Sequence, residues 1–145
     1  MQTPRALWAN TRLHVWREAT VLVSLPLEAL ADAARLVASV RGSFAALIVE
    51  RDEVSMTLPE AAWTASLLRA RASRESGPLR AISLDLDLEL SVVGYLAPAA
   101  TRLAEAGVSI VPQCGFLKDH LLVQAQDLDT ALRTLEGWIE ECRAP

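Results

Sequence analysis

The hydrophobic period of the chain changes twice between residues 80 and 125, and this change limits the possible folds more than any other feature. Residues 80–90 alternate apolar and polar side chains, which is typical of a strand with one buried face. Residues 91–107 carry apolar side chains at a helical spacing, and the period returns to two in residues 108–111 and 120–124. This order predicts an α+β unit with an antiparallel sheet and helices packed on one face.

The first half of the chain repeats the same order of elements without a strict sequence repeat. Its patterns predict strands over residues 13–16 and 20–25, a helix over 27–40, a hairpin over 44–58 and a second helix that opens at Pro59. The polar segment 72–78 ends in Gly77-Pro78 and indicates a break between the halves. We therefore expect four parts: an N-terminal arm (1–11), a first module (12–73), a linker (74–78) and a second module (79–145).

Pro98 and Gly107 bound the helix of the second half. A proline is tolerated in the first turn of a helix but not in its interior, so the helix should begin near Gly94. Gly107 is a suitable residue to end it. Asp127 is a good N-cap for the last helix.

The composition excludes several classes of function. A net charge of −4 without a long basic run argues against binding to nucleic acid. Two cysteines and two histidines without metal-ligand spacing predict neither a disulfide framework nor a metal or other cofactor. The longest apolar run, Val92–Ala100, is too short to span a membrane, and the first residues lack a signal-peptide pattern, so we expect a cytoplasmic protein. The 52% content of hydrophobic residues suggests apolar surface between subunits and therefore a homodimer.

Two segments resemble the ACT domain, a small ferredoxin-like module that binds free amino acids and regulates enzymes. Residues 88–135 (LELSVVGYLAPAATRLAEAGVSIVPQCGFLKDHLLVQAQDLDTALRTL) carry the helix-opening glycine, the LAEAGVSI helix end and the DHLLV strand. Residues 42–60 are similar to a sheet hairpin of the two-module ACT proteins related to the CASTOR arginine sensors, and Asp52–Glu60 reads DEVSMTLPE. The resemblance implies two ferredoxin-like, ACT-like modules in tandem.

In ACT proteins the ligand lies where the helix-opening loop of one module faces the strand turn of another. The resemblance places that loop and turn at ten residues here: Glu89, Leu90, Ser91, Val92, Val93, Gly94, Cys114, Gly115, Phe116 and Asp119. The N–H groups at a helix N-terminus suit a ligand carboxylate, and Gly94 allows close backbone approach. Glu89 and Asp119 are candidates to bind the ammonium group.

Simpler interpretations exist for the same residues. Asp119 is also a suitable turn residue, and Gly94 also eases the passage from strand to helix. The acidic row Asp85, Asp87 and Glu89 fits a solvated strand face better than a Ca²⁺ or Mg²⁺ site, because such ions require more oxygen ligands. Cys114 and His120 flank one turn and could form a thiol–imidazole pair, although a small buried thiol is the simpler interpretation of Cys114.

These patterns lead to a primary functional hypothesis and two alternatives. The primary hypothesis is a non-catalytic regulatory module, not an enzyme, that binds a free amino acid in a cleft between modules. The first alternative is a ligand-free interaction subunit, since Cys114-Gly115-Phe116 stand where ACT proteins often carry hydroxyl groups. The second is a small enzyme that uses Cys114 as a nucleophile.

Overall fold

The computed structural model describes residues 2–145, which form two compact units. The central unit is Trp16–Ala81, and the terminal unit combines the residues up to Val15 with Ile82–Pro145. The elements in chain order are α1 (Pro4–Asn10), β1 (Arg12–Val15), β2 (Thr20–Leu25), α2 (Leu30–Ser39), β3 (Ala46–Val49), β4 (Val54–Pro59), α3 (Glu60–Thr64), β5 (Arg74–Asp85), α4 (Ala97–Glu105), β6 (Ile110–Cys114), β7 (Asp119–Gln124) and α5 (Leu128–Arg143). The fold is α+β, and no helix within residues 2–145 has the length and apolar character needed to cross a membrane.

The central unit has the strand order β3-β4-β2-β5, and each neighbouring pair is antiparallel. Its chain order is strand, helix, strand, strand, helix, strand, which is the ferredoxin-like arrangement. Apolar side chains from both layers form its core, because alternate strand residues point to one face. The fully buried members are Leu25, Ala29, Ala33, Val54, Met56, Leu58 and Trp63.

The terminal unit has the strand order β1-β5-β7-β6. Residues 82–85 of β5 pair antiparallel with β1, and β6 pairs antiparallel with β7. From β5 onward the chain runs strand, helix, strand, strand, helix, and β1 supplies the remaining strand from the N-terminal end. Its core joins side chains of α1, β5, α4, β7 and α5, and its fully buried members are Trp8, Ile82, Leu84, Ala99, Leu103, Leu121, Ala131 and Leu135.

The predicted N-terminal arm is instead part of the terminal unit. Thr3 caps α1 by accepting a hydrogen bond from the Ala6 N–H at 3.2 Å. Trp8 is fully buried, stacks on Tyr95 with 4.7 Å between ring centroids, and donates its Nε1–H to the Tyr95 carbonyl at 2.6 Å. A polar sequence around two apolar residues gives a weak helix signal, and burial of those two residues stabilises the helix here.

The predicted linker, residues 74–78, is the first part of β5. Ser24 pairs with Arg74, and Leu22 with Ser76. The register then shifts, because Gly77 and Pro78 lie between the pairs Leu22–Ser76 and Thr20–Leu79. Such a bulge tolerates a proline, which has no N–H to donate to the ladder. The sequence prediction was wrong because this polar segment is held by pairing with β2 and by bonds from Trp63 and Arg69 to Glu75, which a local pattern does not reveal.

Substitutions of Trp8 test whether the N-terminal helix is structural. Trp8→Phe keeps the stacking but leaves the buried Tyr95 carbonyl without its donor, and should lower the free energy of unfolding by about 1–3 kcal/mol. Trp8→Ala should lower it by about 3–5 kcal/mol. Urea unfolding measures both, and Leu67→Ala is the control because Leu67 is 94% exposed. Wild-type stability in Trp8→Ala would mean that the N-terminal segment is an arm after all.

Candidate ligand-binding site

The loop of the candidate site begins where β5 stops pairing. The Leu86 N–H donates to the Leu84 carbonyl at 2.9 Å, a tight turn that is common at strand ends. β5 therefore ends at Asp85, and the sequence prediction of a strand to Leu90 was wrong. Leu86 and Leu88 continue to pack against the terminal core, which explains why the alternation of apolar residues outlasts the strand.

The helix after this loop begins at Ala97, three residues later than predicted. Gly94 has a φ of +80°, a left-handed conformation that cannot belong to an α-helix and that favours glycine. Pro98 lies in the first turn, as expected. No side chain caps this N-terminus, so the first-turn N–H groups of Ala97 and Ala99 have no acceptor within the helix.

The turn between β6 and β7 faces the loop and is bonded to it. The turn is closed by the Gly115 N–H, which donates to the Lys118 carbonyl at 2.8 Å. The Leu88 N–H of the loop donates to the Leu117 carbonyl at 2.8 Å. Lys118 also forms ion pairs with Asp87 and, at 3.4 Å, with Asp85. One backbone bond and two ion pairs therefore hold the loop against the turn.

A cavity of about 370 Å³ lies between the loop and the turn, within the terminal unit. Eight of the ten residues predicted from sequence line it: Glu89, Leu90, Val92, Gly94, Cys114, Gly115, Phe116 and Asp119. Val93 is 81% exposed and Ser91 lines a neighbouring cavity, so neither is part of this lining. The expected cleft had its loop and turn on different modules, whereas both segments here belong to one unit.

Sequence reasoning missed six further lining residues: Leu88, Tyr95, Leu96, Ala97, Leu117 and Lys118. The cavity extends to Ala97, where α4 begins. The sequence analysis began this helix near Gly94, so it did not count residues 95–97 as part of the loop. Neither Lys118 nor Tyr95 carried a local signal. Lys118 pairs with Asp85 and Asp87, which are distant in the chain. The Tyr95 hydroxyl bonds to Thr11, 84 residues away, at 2.7 Å.

Asp119 is the half-buried carboxylate of the cavity, and it influences two neighbouring side chains. Cys114 is exposed, so the interpretation of a buried thiol was wrong. Partial loss of hydration at the thiol nevertheless raises the pKa of Cys114 to about 11, and a hydrogen bond to Asp119 and its charge act in the same direction. Burial also raises the pKa of Tyr95 to about 12, with a smaller contribution from Asp119. Asp119 thus places a negative charge beside a neutral thiol and a neutral phenol.

The geometry does not favour nucleophilic catalysis by Cys114. A thiol with a pKa of about 11 is almost fully protonated at neutral pH, whereas the thiolate is the nucleophile. His120 lies beside β5, and its Nδ1 is 2.7 Å from the Ser83 hydroxyl oxygen. Burial lowers the pKa of His120, which disfavours the imidazolium that would stabilise a thiolate.

The acidic row does not form a metal centre. Within residues 2–145, no group of three or more His, Cys, Asp or Glu side chains could hold a metal ion. Two members of the row, Asp85 and Asp87, pair with Lys118 instead. The hydrogen bond to Asp87 is the main reason that the pKa of Lys118 is raised, so this amine stays charged.

Comparison with known proteins relates one segment of the chain to a domain family. Residues 76–137 match the family model of the ACT domain, and this segment contains both the loop and the turn of the cavity. The match covers less than half of the chain. No curated protein sequence matches the chain.

Solved structures share the fold over almost the whole chain. A Vibrio cholerae protein, described as of unknown function and a possible transport protein, is 24% identical with a TM-score of 0.73, and the match covers 93% of this chain and 94% of that one. The ligand-free regulatory subunit of aspartate kinase from Thermus thermophilus is 14% identical, with a TM-score of 0.62 and coverage of 88% and 97%. A putative C-terminal regulatory domain of aspartate kinase from Porphyromonas gingivalis is 15% identical, with a TM-score of 0.64 and coverage of 90% and 98%.

Removal of the Lys118 charge tests how the loop is held. In Lys118→Met, the amides of residues 86–96 should exchange with deuterium a few-fold faster, because both ion pairs are lost. Overall stability should change little, since partly exposed ion pairs are screened by water and salt. Hydrogen exchange read by mass spectrometry measures the difference, and Arg35→Met, which removes an ion pair with Asp32, is the control. Unchanged exchange in the loop would show that backbone bonding alone holds it.

Proposed function

We propose that the protein is a non-catalytic regulatory module that binds a free amino acid in the cavity of the terminal unit. The observation that carries this proposal is the convergence of two distant segments on one cavity. The loop and the turn are separated by α4 and β6 in the chain, yet both line the same space. The ACT-domain match includes both segments, and ACT domains are regulatory modules.

The cavity offers a complementary group for each end of an amino acid. Ala97 lies in its wall, and the uncapped first turn of α4 provides N–H groups and a partial positive charge for a carboxylate. Asp119 also lines the cavity and provides an acceptor for the ammonium group. Glu89 is exposed at the mouth and adds negative charge there.

The tandem arrangement is part of the proposal. Each compact unit contains four strands in the ferredoxin-like order, and β5 contributes to both. The relation to CASTOR-type sensors rests on the hairpin sequence Asp52–Glu60. The structural neighbours named as regulatory parts of aspartate kinase support a regulatory role on the basis of the shared fold.

We expect the mouth of the cavity to be covered by a second copy of the chain. Four large apolar residues beside the cavity are exposed: Leu90 (75%), Val93 (81%), Phe116 (76%) and Leu117 (48%). A cluster of this kind at a mouth is typical of an interaction surface. In a homodimer, the second copy would complete the cleft that the resemblance implies.

The same exposed residues favour the alternative function, a ligand-free interaction subunit. In that case the apolar cluster binds a partner protein, and the cavity is only the space between a loop and a turn. The two functions differ in one property, which is a specific increase in stability with a free amino acid.

A screen of the twenty amino acids by thermal unfolding and titration calorimetry separates the two functions. At a ligand concentration of 100 times Kd, binding should stabilise the fold by about 2.7 kcal/mol. Asp119→Asn should weaken binding about 10- to 100-fold, because a charge-assisted hydrogen bond is lost. Asp52→Asn is the control, since Asp52 is exposed and lies in the central unit.

Each negative result has a distinct meaning. Stabilisation that persists in Asp119→Asn would place the ligand elsewhere in the molecule. No stabilisation by any of the twenty at millimolar concentration would contradict the sensor and favour the interaction subunit.

A further inference from the structure

The wall of the cavity also specifies the side chain of the ligand, which is an inference that rests on the proposed function. We propose that the bound amino acid has an apolar side chain, of the size of valine to phenylalanine. Most of the wall is apolar, with contributions from the loop, the start of α4 and the turn: Leu88, Leu90, Val92, Leu96, Ala97, Phe116 and Leu117.

The polar side chains of the wall are already engaged or lie at the mouth. The Tyr95 hydroxyl bonds to Thr11 at 2.7 Å, and the Lys118 amine pairs with Asp85 and Asp87. The Cys114 thiol bonds to Asp119, whose remaining acceptor capacity suits an ammonium group. No serine, threonine, asparagine, glutamine, arginine or histidine is among the described residues that line the cavity.

A polar ligand side chain would therefore lose its water and find only the exposed Glu89 carboxylate as an uncommitted side-chain partner. Burial of an unpaired hydroxyl or amide costs free energy, and this cost separates ligands of nearly equal shape, such as valine and threonine. An apolar side chain gains from the same transfer, in proportion to the apolar surface that leaves water.

The charges of the wall exclude the two classes of ionic side chain. An acidic side chain would approach Asp119 and Glu89, which carry the same sign of charge. A basic side chain would have only the exposed Glu89 after Asp119 has bound the ammonium group, and it would approach the positive Lys118. A neutral apolar side chain is repelled by neither sign of charge. The cavity volume of about 370 Å³ also falls in the range of small-molecule pockets.

Calorimetric titration of the full chain with pairs of similar shape tests the inference. The pairs are valine with threonine and leucine with asparagine, and lysine and aspartate serve as ionic probes. We expect valine and leucine to bind about 10- to 100-fold more tightly than their polar counterparts. Lysine and aspartate should bind more weakly than leucine.

Two valines provide a matched pair of variants. Val92→Thr introduces a hydroxyl into the wall and should bring the affinities for valine and threonine closer together. Val49→Thr introduces the same group at a position that is 53% exposed and lies in the central unit, so the ratio of the two affinities should not change. Thermal unfolding shows whether each variant is folded. If a variant does not fold, the affinities measured with the wild-type chain still test the inference.

The outcomes separate this inference from the proposed function. Tighter binding of threonine, lysine or aspartate than of valine and leucine, with loss in Asp119→Asn, would overturn the apolar class and leave the sensor intact. Equal affinities within both pairs would also overturn it. Failure of all these amino acids to bind at millimolar concentration would overturn the apolar class, and failure of the remaining amino acids as well would overturn the proposed function.

Discussion

The contact between one loop and one turn determines whether this protein has a site. The Leu88 N–H reaches the Leu117 carbonyl, and Lys118 pairs with Asp85 and Asp87. Ordering the eleven-residue loop between β5 and α4 costs conformational entropy, and these bonds help to offset that cost. With them, the backbone holds the apolar wall, the start of α4 and Asp119 around one space. The proposed chemistry depends on this restraint more than on any single functional group.

β5 is shared by the two compact units. Its residues 74–79 pair with β2 and its residues 82–85 pair with β1, so a single strand contributes to both compact units. The terminal unit is therefore assembled from both ends of the chain, with α1 and β1 before the central unit and the remaining elements after it. The Trp8–Tyr95 stack joins the N-terminal helix to the segment immediately before α4. That contact links the stability of the N-terminal segment to the geometry of the cavity.

Local patterns in the sequence predicted the elements that bury one face. Alternating residues identified β7, and the stripe that includes Leu128, Leu135 and Trp138 identified α5. The errors arose where long-range contacts outweigh local pattern. Residues 74–78 are polar yet form a strand, because β2 pairs with them. The N-terminal segment forms a helix because Trp8 is buried on the rest of the unit.

The resemblance to ACT domains, and not the residue types alone, pointed to the two segments that line the cavity. It indicated the loop at Gly94 and the turn at Asp119, and eight of its ten residues line the space. Two residues of the predicted loop, Ser91 and Val93, do not line the cavity. The side chains of an irregular loop have no fixed period, so its sequence does not show which of them face the cavity. Lys118 and Tyr95 complete the site through partners that are distant in the chain, and no local pattern identifies such pairs.

The measurement that tests the central claim most directly is a nitrogen–proton NMR titration of the chain with leucine. The account predicts shift changes concentrated in residues 86–97 and 114–119, with saturation, and their loss in Asp119→Asn. Saturable changes that instead fall outside these two segments, or spectra that leucine and the other amino acids do not alter, would contradict it.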